Sequence, residues 1–311
     1  MDFELSSDQS AILEAVESLL SQHAGPERAI EFAAKGEYDF ALEEALEEAG
    51  FSEVALGDET GFLEAALVVE AVARAAGVVA AGARLLVAPG TVGRSLPGPV
   101  ALATARVDAP VRYAAHAKTL LVADADEALL LRPEPGEFEP VPSGYGYPVG
   151  RGTSSLLDRA DRLGPGSGER LRAWWRVALA AETVGTMSGA LRVTVDYLKQ
   201  RRQFGRPIGS FQAVQHRLAE CAVAIEGARW LMLEAAWHGA PPEAAAVAAA
   251  HATAAAGRVF RETHQLSGAI GYTREHDLHV WSMRLQALRL ELDGAAAQQR
   301  AVADVRWVRG A

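Results

Sequence analysis

The chain has 311 residues, half of them hydrophobic, and a formal net charge of −10. That length suffices for two or three packed units with a sizeable core, and the acidic balance without any long basic run argues against a general nucleic-acid binder. The single cysteine, Cys221, excludes an internal disulfide and fits a reducing cytoplasm, where it serves most simply as a small buried apolar residue on a helix.

The opening Met1-Asp2-Phe3-Glu4 is acidic and runs into an amphipathic pattern, so no secretory signal is expected. Ser6 followed by Gln9 predicts a capping box for a helix over Ser7–His23, with Ile12, Leu13, Val16, Leu19 and Leu20 on one face. Further helices are predicted over 40–49, stopped by Gly50, and over 62–76 and 78–87. Glu43, Glu44, Glu47 and Glu48 read as a solvated face. The most apolar stretch, 65–88, is interrupted by Glu70, Arg74 and Arg84. No uncharged run reaches the ~20 residues a bilayer requires. Residues 1–95 thus read as an N-terminal helical domain.

From 96 to 164, prolines and glycines punctuate short apolar runs. Val100–Thr104, 119–123 and 128–131 read as strands of a small β-domain. Residues 158–168 read as a polar, flexible linker. Residues 165–311 are helical again, with helices predicted over 169–200, 212–238 and 243–266, another after Tyr272 and a last one after Gly294. Small residues along 244–256 permit close helix approach in a bundle.

Between the first two of these long helices lies Arg201-Arg202-Gln203-Phe204-Gly205-Arg206-Pro207-Ile208-Gly209-Ser210-Phe211-Gln212. Gly205, Pro207 and Gly209 turn the chain. Arg201 and Arg202 can face a phosphate, and Gln203 and Gln212 can donate to carbonyls. Equally, the arginines can complement a helix C-terminus while Phe204 and Phe211 staple the hairpin.

The order of these residues, RRQFGRPIGSFQAVQHRLAE, closely resembles the signature of acyl-CoA dehydrogenases, which are flavoenzymes. A second run, from Gln265 through Gly268, Ala269 and Gly271 to His279, resembles the family's Q-x-x-G-G-x-G-[FY] segment. The opening MDFELSSDQSAILEAVESLL is similar to the family's first helix. The resemblance is strong in the C-terminal half, loose in the N-terminal third and poor in the middle. It implies a mainly α fold with a small β-domain: an N-terminal helical domain, a reduced middle β-domain and a C-terminal four-helix bundle. The family's T-E-P-x-x-G-S-D and K-x-W-I-[TS]-N runs, which hold the flavin ring, are both missing.

By residue-by-residue match, the resemblance implies that Arg201 meets the FAD pyrophosphate. Gln203, Phe204, Gln212 and Gln265 would line the dinucleotide, with Gly268 and Ala269 at the ADP turn. In the family these groups serve the flavin of a neighbouring subunit. Ala269 replaces the second glycine of the usual pair, and its methyl narrows the backbone's approach to a ligand. A glycine helix stop without a ligand is the alternative.

The resemblance further implies α,β-dehydrogenation of an acyl-CoA thioester, which needs a carboxylate base. Alignment on Gly294 and Arg300 puts Asp293 at the family's glutamate, after an apparent one-residue insertion. Aspartate is one methylene shorter, and Asp293 equally suits a helix N-cap. Glu182 and Glu275 are outside candidates. Glu275, His276, Asp277 and His279 lack a second cluster, so no metal is expected. Two classes remain. One is a subunit completing the FAD site of a full-length acyl-CoA dehydrogenase, or of its own copy, in a cytoplasmic tetramer that passes electrons to a flavoprotein acceptor. The other is a flavin-free helical scaffold or acyl-CoA-binding protein.

Overall fold

The computed structural model describes residues 4–308. Helix α1 (Ser7–His23) begins in the expected capping box, in which Gln9 N–H donates to the Ser6 hydroxyl and Ser6 N–H to the Gln9 carboxamide. Helix α2 (Pro26–Lys35) was not anticipated: Pro26 sits at its first turn and Gly36 closes it at φ 67°. Helices α3 (Phe40–Glu48) and α4 (Phe62–Arg74) follow. A π-turn over Ala83–Val87 then leads into α5 (Ala88–Val92). Glu43 departs from the solvated face expected of it. It is buried, accepts a hydrogen bond from Tyr38 and faces Arg84 at 3.2 Å.

The strand region is small, as the missing runs implied. Strands β1 (Val100–Thr104), β2 (Val111–Arg112), β3 (Thr119–Asp124), β4 (Glu127–Leu131), β5 (Glu139–Val141), β6 (Val149–Arg151) and β7 (Asp161–Pro165) form two sheets. One has the order β1-β3-β4-β7, with β1 parallel to β3 and the other pairs antiparallel. The other is antiparallel, in the order β2-β6-β5. The expected flexible linker is therefore corrected: 161–165 is an edge strand on β4, and a 3₁₀ turn spans Ser154–Arg159.

Helix α6 (Ser167–Gln200) is the axis of the molecule. It is apolar on nearly every face because α4 packs on one side and the later helices on the others. Helices α7 (Gln212–Trp237), α8 (Pro242–Ser267) and α9 (Leu278–Leu288) complete the bundle, and α10 (Ala295–Ala303) closes it. Two glycines let partners touch the α6 backbone. A Cβ on Gly185 would lie 2.1 Å from the Glu70 carbonyl of α4, and one on Gly189 2.2 Å from Trp281 of α9. Among the described residues no helix is long and apolar enough to cross a membrane.

Candidate functional site

Helices α6 and α8 run parallel, because each pairs antiparallel with α7. Their C-terminal ends therefore meet. Arg217, early in α7, bonds Glu262, late in α8, at 2.6 Å, and the Tyr197 and His276 rings lie 5.1 Å apart. Two turns emerge at this end.

In the first turn, β8 (Arg202–Gln203) and β9 (Arg206–Pro207) form a minimal ribbon. Phe204 and Gly205 close it with φ 53° and 78°, the pair of positive angles that a type I′ turn requires. Glycine adopts this conformation freely. Phenylalanine does so at a cost of about 1–2 kcal/mol. Its ring gains little burial in return, being 89 % exposed and edge-on to Phe211. Arg206 stacks over Phe211 at 4.0 Å. Arg201, Arg202, Gln203 and Gln212 are all exposed. Neither Arg201 nor Arg202 has an ion-pair partner among the described residues. The turn type accounts for the positive φ at this position, but not for an exposed aromatic there, between arginines without ion-pair partners among the described residues.

The second turn ends α8. Gly268, at φ 66°, donates its N–H to the His264 carbonyl, so this amide is engaged and not free for a ligand. Nothing lies within 4 Å of where a Gly268 side chain would be, and Gln265 and Ala269 are exposed beside it. All seven residues assigned to the dinucleotide thus lie on the surface, at one end of the bundle.

The base candidates do not come together. Asp293 is exposed and left-handed at φ 66°. The N-cap of α10 is Gly294, so Asp293 is not the cap. Glu275 is exposed on the far side of the second turn. Glu182 is buried in α6 and bonds Arg112 of β2 at 2.7 Å.

Arg112 also bonds Glu291, at 2.8 Å. This ion triad joins the small sheets, α6 and the turn before α10. Tyr147 lies under it, between Arg112 at 4.8 Å and Arg284 at 4.9 Å. Burial pushes the Glu291 carboxyl up, with Arg112 pulling it only partly back. Burial opposes the Arg112 charge, but Glu182 and Glu291 more than offset that and raise its pKa. The neighbouring voids measure about 10 Å³ each, room for about one water and not for an acyl chain. Sequence reasoning missed Arg112, Glu291 and Tyr147. The available signal was a glutamate set between two leucines in Leu288-Arg289-Leu290-Glu291-Leu292. Among the described residues no group of three or more His, Cys, Asp or Glu side chains could hold a metal ion.

Comparison with known proteins gives a family and a fold. Residues 171–304 match the model of the acyl-CoA dehydrogenase C-terminal domain. The chain is 32 % identical over 301 residues to acyl-CoA dehydrogenase IpdE2 of Mycobacterium tuberculosis, covering 89 % of this chain and 90 % of that one. In fold it is similar to a chain of the ChsE4–ChsE5 complex from Mycobacterium tuberculosis, with TM-score 0.83 and 22 % identity over 99 % of both chains. It is also similar to a chain of the Tcur3481–Tcur3483 steroid ACAD, with TM-score 0.79 and 26 % identity over 98 % of both.

Proposed function

Because this chain belongs to the acyl-CoA dehydrogenase family, we propose that it is the FAD-contacting subunit of a heteromeric acyl-CoA dehydrogenase, completing a flavin site carried mainly by a full-length partner. The observation behind this is a contrast within the molecule. The turn that would reach a neighbour's cofactor is exposed, strained and cationic, while the interior junction is filled by the Arg112 triad.

The exposed residues fit a dinucleotide. Arg201 would hold the pyrophosphate through charge-assisted hydrogen bonds, each contributing roughly 1.5–3 kcal/mol. Gln203 and Gln212 would donate along the chain of the cofactor, and Phe204 would cover a flat face. Gln265, Gly268 and Ala269 would border the adenosine side, where Gly268 leaves open space. FAD, when bound, supplies the hydride acceptor for α,β-dehydrogenation of an acyl-CoA. This chain supplies position and charge.

The base is assigned to the partner. Asp293 points into solvent, and Glu182 and Glu291 are tied to an arginine in a junction too small for substrate. The two-protein ChsE4–ChsE5 complex supports a partnered assembly, and the description of Tcur3481–Tcur3483 supports a steroid-derived acyl group. We place the assembly in the cytoplasm, with a flavoprotein as electron acceptor. A tetramer of two copies of each chain suits the family's closed symmetry.

The test is co-expression with full-length dehydrogenases encoded beside this chain, followed by a visible spectrum and mass measurement. A yellow complex with a colourless isolated chain is expected. An isolated chain that holds stoichiometric FAD and oxidises an acyl-CoA would overturn the proposal. A stable complex that stays colourless favours the scaffold reading, for which the filled junction is the supporting observation.

A further inference from the structure

A second cavity lies between α2, the loop around Ser143–Gly146, the end of α8 and the start of α9. Its volume is about 470 Å³, within the range of small-molecule sites. None of the seven residues assigned to FAD lines it. The α2 side is apolar and shallow, formed by Ala29, Ile30 and Ala33, and Val280 and Met283 face it from α9. One wall is a ladder of rings, with Phe260 4.5 Å from His264 and His264 4.8 Å from Tyr272.

Three polar side chains in this cavity have atoms without partners. Both ring nitrogens of His264, the Ser282 hydroxyl, and Nε and Nη2 of Arg284 are buried without a hydrogen bond. The Gly271 backbone approaches His264 but outside hydrogen-bonding geometry. His264 is 6 % exposed, Ser282 0 % and Arg284 1 %. Burying such groups unsatisfied costs roughly 1–3 kcal/mol each, more for a charge. A ligand that satisfies them recovers that cost.

The pattern on Arg284 specifies the ligand's charged group. Its Nη1 donates to the Gly77 carbonyl, and its face covers Tyr147. The unused atoms, Nε and Nη2, form the edge that grips a carboxylate in two parallel hydrogen bonds. The same edge of Arg28 holds Asp39 here, at 2.6 and 2.7 Å. No carboxylate lines the cavity, and the interior carboxylates Glu182 and Glu291 are engaged by Arg112. Gly146 packs beside this edge: a Cβ there would stand 3.5 Å from Arg284 Nε. Arg274, exposed and without an ion-pair partner among the described residues, stands at the cavity as a second cation.

We propose that this cavity binds a small organic carboxylate with a flat apolar body, the carboxylate docked on the Nε–Nη2 edge of Arg284 and the body lying between the ring ladder and α2. His264 and Ser282 hydrogen-bond polar substituents on that body. The site borders the second turn through Gly271 and Tyr272 but uses none of the seven residues assigned to the dinucleotide, and it does not depend on the proposed flavin role.

The experiment is calorimetric titration of the purified full chain with 2-naphthoate and with its uncharged counterpart 2-naphthamide. The naphthoate should bind, and the amide should bind at least tenfold more weakly, since each charge-assisted bond exceeds the ~1.4 kcal/mol that sets a factor of ten. Arg284→Met should remove that preference. Because Arg284 also braces Gly77, a second variant, Ala33→Phe, fills the apolar side without touching the polar groups. It should abolish binding of both compounds while leaving the melting temperature close to that of the parent. Equal affinity for acid and amide, no naphthoate heat at millimolar concentration, or unchanged binding by a folded Ala33→Phe variant would overturn the proposal.

Discussion

Replacing Arg112 with methionine tests whether the interior junction is held by charge. The substitution keeps most of the apolar stem and removes the guanidinium that bonds Glu182 at 2.7 Å and Glu291 at 2.8 Å. The side chains involved are only 13 %, 10 % and 15 % exposed, so solvent compensates little. Breaking a buried pair typically costs about 3–5 kcal/mol, because an uncompensated charge remains. At about 2 °C per kcal/mol for a chain of this size, that is a melting-temperature loss of about 6–10 °C at neutral pH. The loss should depend on pH. Burial already raises the Glu291 carboxyl above its ordinary range, and removing Arg112 raises it further. The folded state then binds a proton that the unfolded state has released, so stability falls as pH rises through the window between the two pKa values. The deficit of the variant should therefore be smaller near pH 5 than at pH 8, measured by calorimetry against the parent. Adding Glu182→Gln and Glu291→Leu removes the stranded charges and should restore at least half of the loss. A deficit that is flat with pH, or that the triple variant fails to reduce, would refute the assignment of the triad as the source of the effect.

Other outcomes follow from single contacts. Arg201→Ala should lower FAD retention in the complex with a full-length partner at least tenfold, read as absorbance per complex after gel filtration; unchanged flavin content counts against Arg201 as the pyrophosphate contact. Asp293→Asn should leave turnover of that complex nearly unchanged, because the carboxylate is exposed and caps no helix; a loss of a hundredfold or more would make Asp293 the base. Gly185→Ala should destabilise the chain by about 1–3 kcal/mol or prevent folding, since its Cβ would lie 2.1 Å from a carbonyl of α4, and chemical denaturation reports this directly. Cys221, whose thiol burial pushes up to about 11, should react with a thiol reagent at pH 8 only as fast as the folded state opens.

The long helices were legible because each is a long run of good helix formers without an internal proline, bounded by glycine or proline signals, as at Gly205 and Pro207 after α6 and at Gly268 after α8. The capping box of α1 was legible for the same local reason. Helix α2 was not, because its ten residues carry only a short apolar pattern between two glycines. The strand at 161–165 was hidden for a different reason. Its residues are polar and largely exposed at a sheet edge, and what makes them a strand is β4, some thirty residues earlier in the chain. Glu43 was misread because i, i+4 spacing shows only which residues share a helix face. It does not show that Tyr38 and Arg84 cover that face.

The same distinction separates the two halves of the candidate site. The exposed turn is a local feature, and twelve consecutive residues spell it out, so its likeness to the family could be read directly. The filled junction is a tertiary feature. Arg112, Glu182 and Glu291 lie 70 and 179 residues apart in pairs, and nothing in the spacing brings them together until the sheets pack on α6. Yet the second half decides the meaning of the first. With an open junction, an exposed cofactor-gripping turn would belong to a self-sufficient enzyme that exchanges such turns with its own copy. With the junction filled by a buried ion triad and residual voids of about 10 Å³, the chain has a contact to offer a cofactor and no room for substrate at that junction. That asymmetry is the ground for proposing that Arg201 and Phe204 meet a partner's flavin rather than one held by this chain.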